Sequence, residues 1–480
     1  MKNISSRTTA GKALRINLDE KKYGTIAEIG AGQEVARQFF MAGAAAGTIA
    51  KTISAYDMKF SDAIYGIEEG GRYVSKNRVE AMLEKEFNLV IDRVGETRPK
   101  SSRFFSYATT VAAKRFNSDN ECHAWIGVRI QTYPSAPPSD IIMHVRMLEK
   151  TVEQQQDCLG ILGVNLIYAA YYFFEDAHKV IDSLTDNLSN GRFEIDSIEF
   201  TGPYFEDVDN REINLYLIRS WKSRAVVFQP DGSVVIPANM LYKKNVLTIR
   251  GSFRPVTRLN VDMIEQGKHS FYKLPGVTSD NTVVLAEISL NDMQGKDLGA
   301  SASDLIERVR LLNALGYSVM VSDYTRYFSL RAFFRQYTKL QIGIVLGMIN
   351  IKQIFDESTY EGVEGGILEG FGKLFPDNTR LFVYPELDDN NKIRDFEHIT
   401  VPDHLRYLYR HLLENKFVFG IECSDAELLN IYSREVLEMI DQGNSEWEAC
   451  LPADTVKQIK KRKLFNYCLL YTSPSPRDRG

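Results

Sequence analysis

Several things are scarce in this sequence of 480 residues. There are only five cysteines, Cys122, Cys158, Cys423, Cys450 and Cys468, with no C-x-x-C among them. That excludes a disulfide framework and a thiolate zinc site, and it fits a reducing compartment. No metal site is expected. Charge of one sign is also missing: 63 acidic against 58 basic residues leave a net charge of −5. Such a balance lacks the basic surplus of a nucleic-acid binder. Long apolar runs are absent as well. The most apolar stretch, "LGILGVNLIYAAYYFF" (159–174), has 16 residues, whereas a membrane span needs about 18 or more. It also contains Asn165, so it reads as a buried helix. The opening residues show neither an apolar core nor a small-residue cleavage site, and a cytoplasmic location is expected. No G-x-S-x-G, H-E-x-x-H or Ser/His/Asp pattern occurs.

What is present is ordinary globular composition, 44% hydrophobic and 25% charged. After a polar arm at 1–20, residues 21–185 read as a mixed α+β domain. In it "ECHAWIGVRIQ" and "DIIMHVRML" alternate as strands joined by the Pro/Ser-rich "TYPSAPPS". His123, Trp125, Arg129 and Gln131 then share one face, and Ile142, His144, Arg146 and Leu148 share another. From 190 to 422, near-continuous apolar strands alternate with amphipathic helices. This predicts an α/β domain with a mostly parallel sheet flanked by helices. Residues 423–467 read as a helical C-terminal cap. The tail 468–480, "CLLYTSPSPRDRG", resembles the translation of a sequencing-library adapter and is expected to lie outside the fold.

The stretch "AEIGAGQEVARQFFMAGAAAGTIAKTISAYD" (27–57) admits three readings. In the first, Gly30 and Gly32 form a strand-to-helix turn that approaches a cofactor phosphate, although Val35 stands where a third glycine belongs. In the second, Lys51 and Thr52 end a phosphate loop whose glycines are replaced by Ala45 and Ala50. In the third, small residues at 42–47 let helices pack closely. The glycine-poor motifs specify no cofactor.

"LYKKNVLTIRGSFRPVTR" (241–258) gathers Lys243, Lys244, Arg250, Arg254 and Arg258 around a strand and a turn. Guanidinium groups there suit bidentate binding of a carboxylate or phosphate; solvated surface charges are the plain alternative. Ligands of open α/β sheets bind at the C-terminal ends of the strands. Asp292, Asp323 and Arg326 fall at such ends. His123 and His144, with Arg129 and Arg146, are candidates for proton exchange on the hairpin face. His123, His144, Asp292 and Asp323 are thus the candidate catalytic residues.

Over 22–467 the chain resembles a family of uncharacterised bacterial cytosolic proteins. The resemblance rests on "YGTIAEIGAGQEVARQFF", "ECHAWIGVRIQ", "QQQDCLGILGVNLIYAAYYF", "LYKKNVLTIRGSFRPVT" and "GGILEGFGKLF". Members carry the names nicotinate-nucleotide adenylyltransferase and TonB-dependent receptor. The first requires an H-x-G-H pair, which is absent here. The second requires a barrel of many short amphipathic strands, at odds with the helix-period segments. The expectation is a protein that binds, and as an enzyme would transform, an anionic small molecule such as a phosphorylated metabolite or nucleotide. The rival is a non-enzymatic scaffold or regulator. Self-association is compatible with either; nucleic acid and membrane are not expected partners.

Overall fold

A computed structural model describes residues 8–467 except 31, 69–70, 72, 114–121, 291–301, 377 and 389. The chain forms two compact units, 1–224 and 225–480.

Unit 1 contains α1 (Thr9–Asn17), β1 (Lys22–Ile29), α2 (Glu34–Ala42), β2 (Ile49–Ile53), α3 (Met58–Tyr65) and α4 (Lys76–Val94). These are followed by β3 (Arg103–Ala112), β4 (Cys122–Ile130), β5 (Ser139–Met147), α5 (Val152–Tyr172), α6 (Ala177–Leu184), β6 (Phe193–Thr201) and α7 (Asn210–Arg219). The six strands order as β2-β1-β3-β4-β5-β6. β1 is parallel to β2 and β3, and the remaining pairs are antiparallel. The apolar stretch read as a buried helix is α5, which lies against α1, α2, α6 and β4 in the main core. Its Asn165 is fully buried and donates to the carbonyls of Leu184 and Asp186 at 2.9 and 2.7 Å. α4 covers the other face, over β1, β3 and β4.

The domain boundary differs from the expected one. A parallel-sheet domain starting at 190 would include β6 and α7, whereas β6 is the antiparallel neighbour of β5 and α7 packs on β6. Alternation in sequence marks a strand without naming its partner.

Unit 2 begins with the short hairpin β7 (Ala225–Phe228) and β8 (Val234–Val235), then α8 (Pro237–Leu241). It continues through β9 (Asn245–Arg250), α9 (Arg258–Phe271), β10 (Thr282–Ser289), α10 (Ala302–Ala314), β11 (Ser318–Ser322), α11 (Tyr327–Tyr337), β12 (Ile342–Gly347) and α12 (Met348–Ile354). α13 (Gly366–Leu374), β13 (Thr379–Tyr384), the small pair β14 (Glu386–Leu387) and β15 (Ile393–Arg394), α14 (Arg406–Glu414) and β16 (Val418–Gly420) complete the sheet region. α15 (Ser433–Asp441) and α16 (Ala453–Arg462) form the C-terminal helical region around Trp447 and Ile459.

The eight strands order as β16-β13-β12-β9-β10-β11-β7-β8. The six from β16 to β11 are mutually parallel. The chain therefore builds outward from β9 in one direction through β10 and β11, then returns to β9's other side for β12, β13 and β16. No helix among the described residues is long and apolar enough to cross a membrane.

Candidate functional site

The order reversal between β9 and β12 is a topological switch point. In open α/β sheets, ligands bind at such a point, outside the strands' C-terminal ends. The basic segment of the sequence runs along β9, and the fold divides it. Lys243 and Lys244 precede the strand, Arg250 is its last residue, about 20 Å from Lys244 at 3.3 Å per residue, and Arg254 and Arg258 follow it. Lys244 donates to the Asp280 carbonyl at 2.8 Å, and Lys243 sits over the Tyr242 ring.

Arg250 is buried, directly opposite Glu287 on β10. Its Nε and Nη2 donate to Glu287 at 2.5 and 2.9 Å, and it also donates to the carbonyls of Tyr324 and Thr325. Ser322 on β11 donates to Glu287 at 2.5 Å, so one carboxylate links three strands. A buried charge needs such a partner, and the bonds from Arg250 to the Tyr324 and Thr325 carbonyls pin the loop after β11 to the sheet.

Arg254 occupies the β9–α9 loop and donates from Nε to Asp304 of α10 at 2.9 Å. A cavity of about 550 Å³ opens beside it, lined also by Ser303, Glu307, Glu438, Asp441 and Lys463. Arg258 is the first residue of α9 and donates to the Ala449 carbonyl at 3.3 Å. α9 itself is closed at its start by a capping box of Thr257 and Asn260. Asp323 and Arg326 lie in the loop after β11, and Arg326 donates to the Glu361 carbonyl at 2.6 Å. Asp292 lies outside the described residues.

The glycine-rich stretch of unit 1 does form a strand, a turn and a helix, β1 to α2. The anion site at the helix start is filled by the protein itself. Glu28 accepts the N–H groups of Val35 and Ala36 at 3.0 and 3.1 Å, the groups that a bound phosphate would otherwise use. Gly30 faces the neighbouring strand, since a Cβ there would lie 2.3 Å from the Val111 carbonyl oxygen. Lys51 is a strand residue on β2, 2.5 Å from Glu86, so no helix N-terminus follows it as a phosphate loop requires. Close helix packing through small residues does occur, but its glycines are on α5. Added Cβ atoms at Gly160 and Gly163 would meet Glu34 and Val35 of α2 at 3.1 and 2.3 Å. Ala45–Gly47, by contrast, is a single 3-10 turn.

On the hairpin of β4 and β5, His123 and His144 come together and Arg129 does not join them. His123 Nδ1 lies 3.0 Å from His144 Nε2, and His144 Nδ1 lies 2.8 Å from Asp196 Oδ2. Arg146 donates to Asp196 Oδ1 at 3.0 Å and pairs with Glu194. Burial, then the neighbouring His144, pushes His123 down to about 4. Arg129 lies further along β4, paired with Asp140 through two bonds of 2.8 Å. Asp196, Glu287 and Glu28 are the partners that sequence reading missed. A register shift in the β5–β6 pairing lies beside His144, so simple alternation could not assign Asp196 to its face. Among the described residues, no group of three or more His, Cys, Asp or Glu side chains could hold a metal ion.

No protein-family model matches the chain, and no curated protein matches it. Among solved structures, the chain is similar to Plasmodium falciparum nicotinic acid mononucleotide adenylyltransferase. The identity is 15% and the TM-score 0.30, over 47% of this chain and 99% of that one. The competence/damage-inducible protein CihA of Agrobacterium tumefaciens shows 13% identity and a TM-score of 0.26, over 35% and 98%. A putative nicotinate-nucleotide adenylyltransferase of Vibrio parahaemolyticus shows 13% and 0.24, over 47% and 98%. Agreement at this level carries no argument about activity.

Proposed function

We propose that unit 2 binds an anionic small molecule, a phosphorylated metabolite or nucleotide, at the C-terminal edge of its parallel sheet. The observation that carries this reading is the strand-order reversal at β9 and β12, the position at which open α/β sheets place ligands. The cavity beside Arg254 supports it, because about 550 Å³ is the size of a small-molecule site. Its walls favour a ligand with two kinds of group. Arg254 and Lys463 suit a phosphate, while Glu438 and Asp441 accept hydrogen bonds from sugar hydroxyls. Such a lining fits a sugar phosphate or nucleotide better than a bare polyanion, which the carboxylates would repel.

The test is a thermal-shift screen of the full chain against nucleoside and sugar phosphates, followed by calorimetric titration of the strongest stabiliser. Arg254→Ala should weaken that binding by roughly 10-fold or more, the value of a charge-assisted hydrogen bond. No stabilisation by any member of the panel, or equal affinity in Arg254→Ala, would sink the reading.

A further inference from the structure

Two imidazoles in hydrogen-bond contact must divide their protons in one of a few ways. A neutral imidazole has one donor nitrogen and one acceptor. The Asp196 carboxylate only accepts, so the proton between it and His144 belongs to His144 Nδ1, 2.8 Å away. With His144 neutral, its Nε2 accepts across the 3.0 Å contact and His123 donates from Nδ1. His123 Nε2 is then left with its lone pair. His144 is fully buried and His123 only partly so, which makes His123 the outer end of the chain.

The surroundings suit one more proton. Among the described residues, the ion-paired groups beside the pair are Asp196, Glu194 and Arg146, from β5 and β6. Together they sum to one negative charge. A proton entering at His123 Nε2 and displacing the Nδ1 proton onto His144 balances that charge, and His123 itself returns to neutral. The Trp125 ring lies 5.1 Å from that of His144. Across from Trp125 on β3 is Thr110, fully buried, whose hydroxyl has no hydrogen-bond partner among the described residues. Buried hydroxyls are normally paired, and an oxygen-bearing ligand on this face would supply the missing partner.

We propose that unit 1 carries a general-base site, separate from the ligand site of unit 2, in which His123 Nε2 activates an O–H nucleophile, water or an alcohol. The nucleophile's oxygen forms a bond to an electrophilic carbon while its proton passes to His123 Nε2. The His123 Nδ1 proton moves to His144 Nε2, and the leaving group departs with its electron pair. His144 and Asp196 are positioning residues.

The experiment uses the full chain with 4-nitrophenyl acetate and water. The acetyl carbon gains the water oxygen, 4-nitrophenolate leaves, and the proton returns from the histidine pair to solvent. His123→Gln should lower protein-dependent hydrolysis at least 10-fold. Asp196→Asn should lower it several-fold and move the midpoint of its pH profile. Nitrogen-15 NMR of histidine-labelled wild-type chain, which needs no variant to fold, should find His123 protonated on Nδ1 at pH 7. Protonation on Nε2 instead, hydrolysis unchanged in His123→Gln, or an unmoved pH midpoint in Asp196→Asn would each overturn the proposal.

Discussion

Glu28 shows at the scale of one residue how burial and hydrogen bonding compete. Desolvation pushes its carboxyl up to about 7, against the pull of the two α2 amides. The folded chain therefore keeps a proton between about pH 4.5 and 7 that the unfolded chain gives up. Stability falls as pH rises through that window, by about 3 kcal/mol in total. His123 works with the opposite sign. It stays neutral in the fold down to about 4, while an unfolded histidine takes a proton near 6.5. Its contribution is present above 6.5 and is lost as pH falls toward 4, again about 3 kcal/mol. Over about pH 4.5 to 6.5 the two contributions oppose one another in the parent, so urea melts there should show stability rising with pH in Glu28→Gln and falling with pH in His123→Gln, each relative to the parent. Equal slopes in variants and parent would refute both assignments. Arg250 makes a third case. Its removal strands Glu287 without its charge partner, so Arg250→Ala should cost about 3–5 kcal/mol in denaturant melts. A cost under about 1 kcal/mol would mean that the charge is not held as described.

Between elements, close approach is set by a few glycines. Gly30, at the turn from β1 into α2, has φ +101° and a strand carbonyl where a Cβ would go. Gly32 also has positive φ, +86°, but the nearest atom to an added Cβ is the end of Gln156 at 3.8 Å. Gly32→Ala should therefore cost only the conformational strain, about 1 kcal/mol. Gly30→Ala adds a backbone clash and should cost at least about 2 kcal/mol. Equilibrium unfolding of the two variants separates these outcomes, and equal costs would show that Val111 gives way. α9 meets the sheet in the same manner, with Val345 of β12 at 2.4 Å from a Cβ on Gly267. These contacts need no polar chemistry, and Gly30, which resembles a glycine of a phosphate-binding turn, packs against a strand in this way.

For the whole molecule, the division at 224 and 225 predicts separable responses. Each unit has its own apolar core, so scanning calorimetry should resolve two transitions. Arg250→Ala should lower one and Gly30→Ala the other. A ligand at the edge of the parallel sheet should raise only the transition that Arg250→Ala lowers. If both rise together, the ligand binds elsewhere or the units unfold as one.

Local pattern in the sequence determined most of the elements. Helical and alternating periods reveal α5 as a buried helix, the facing strands that carry His123 and His144, and the strand–helix repeat of unit 2, because each reflects side chains only a few residues apart. Tertiary structure alone decided the partners. That β6 lies beside β5 and brings Asp196 to His144, that Glu287 meets Arg250, and that β12 returns to the free side of β9 all depend on strand pairing across long stretches of chain. Glu28 is similar on a shorter scale: "EIGAGQEV" announces a turn before a helix, but only the folded turn shows that the chain's own carboxylate occupies the place where a phosphate would bind.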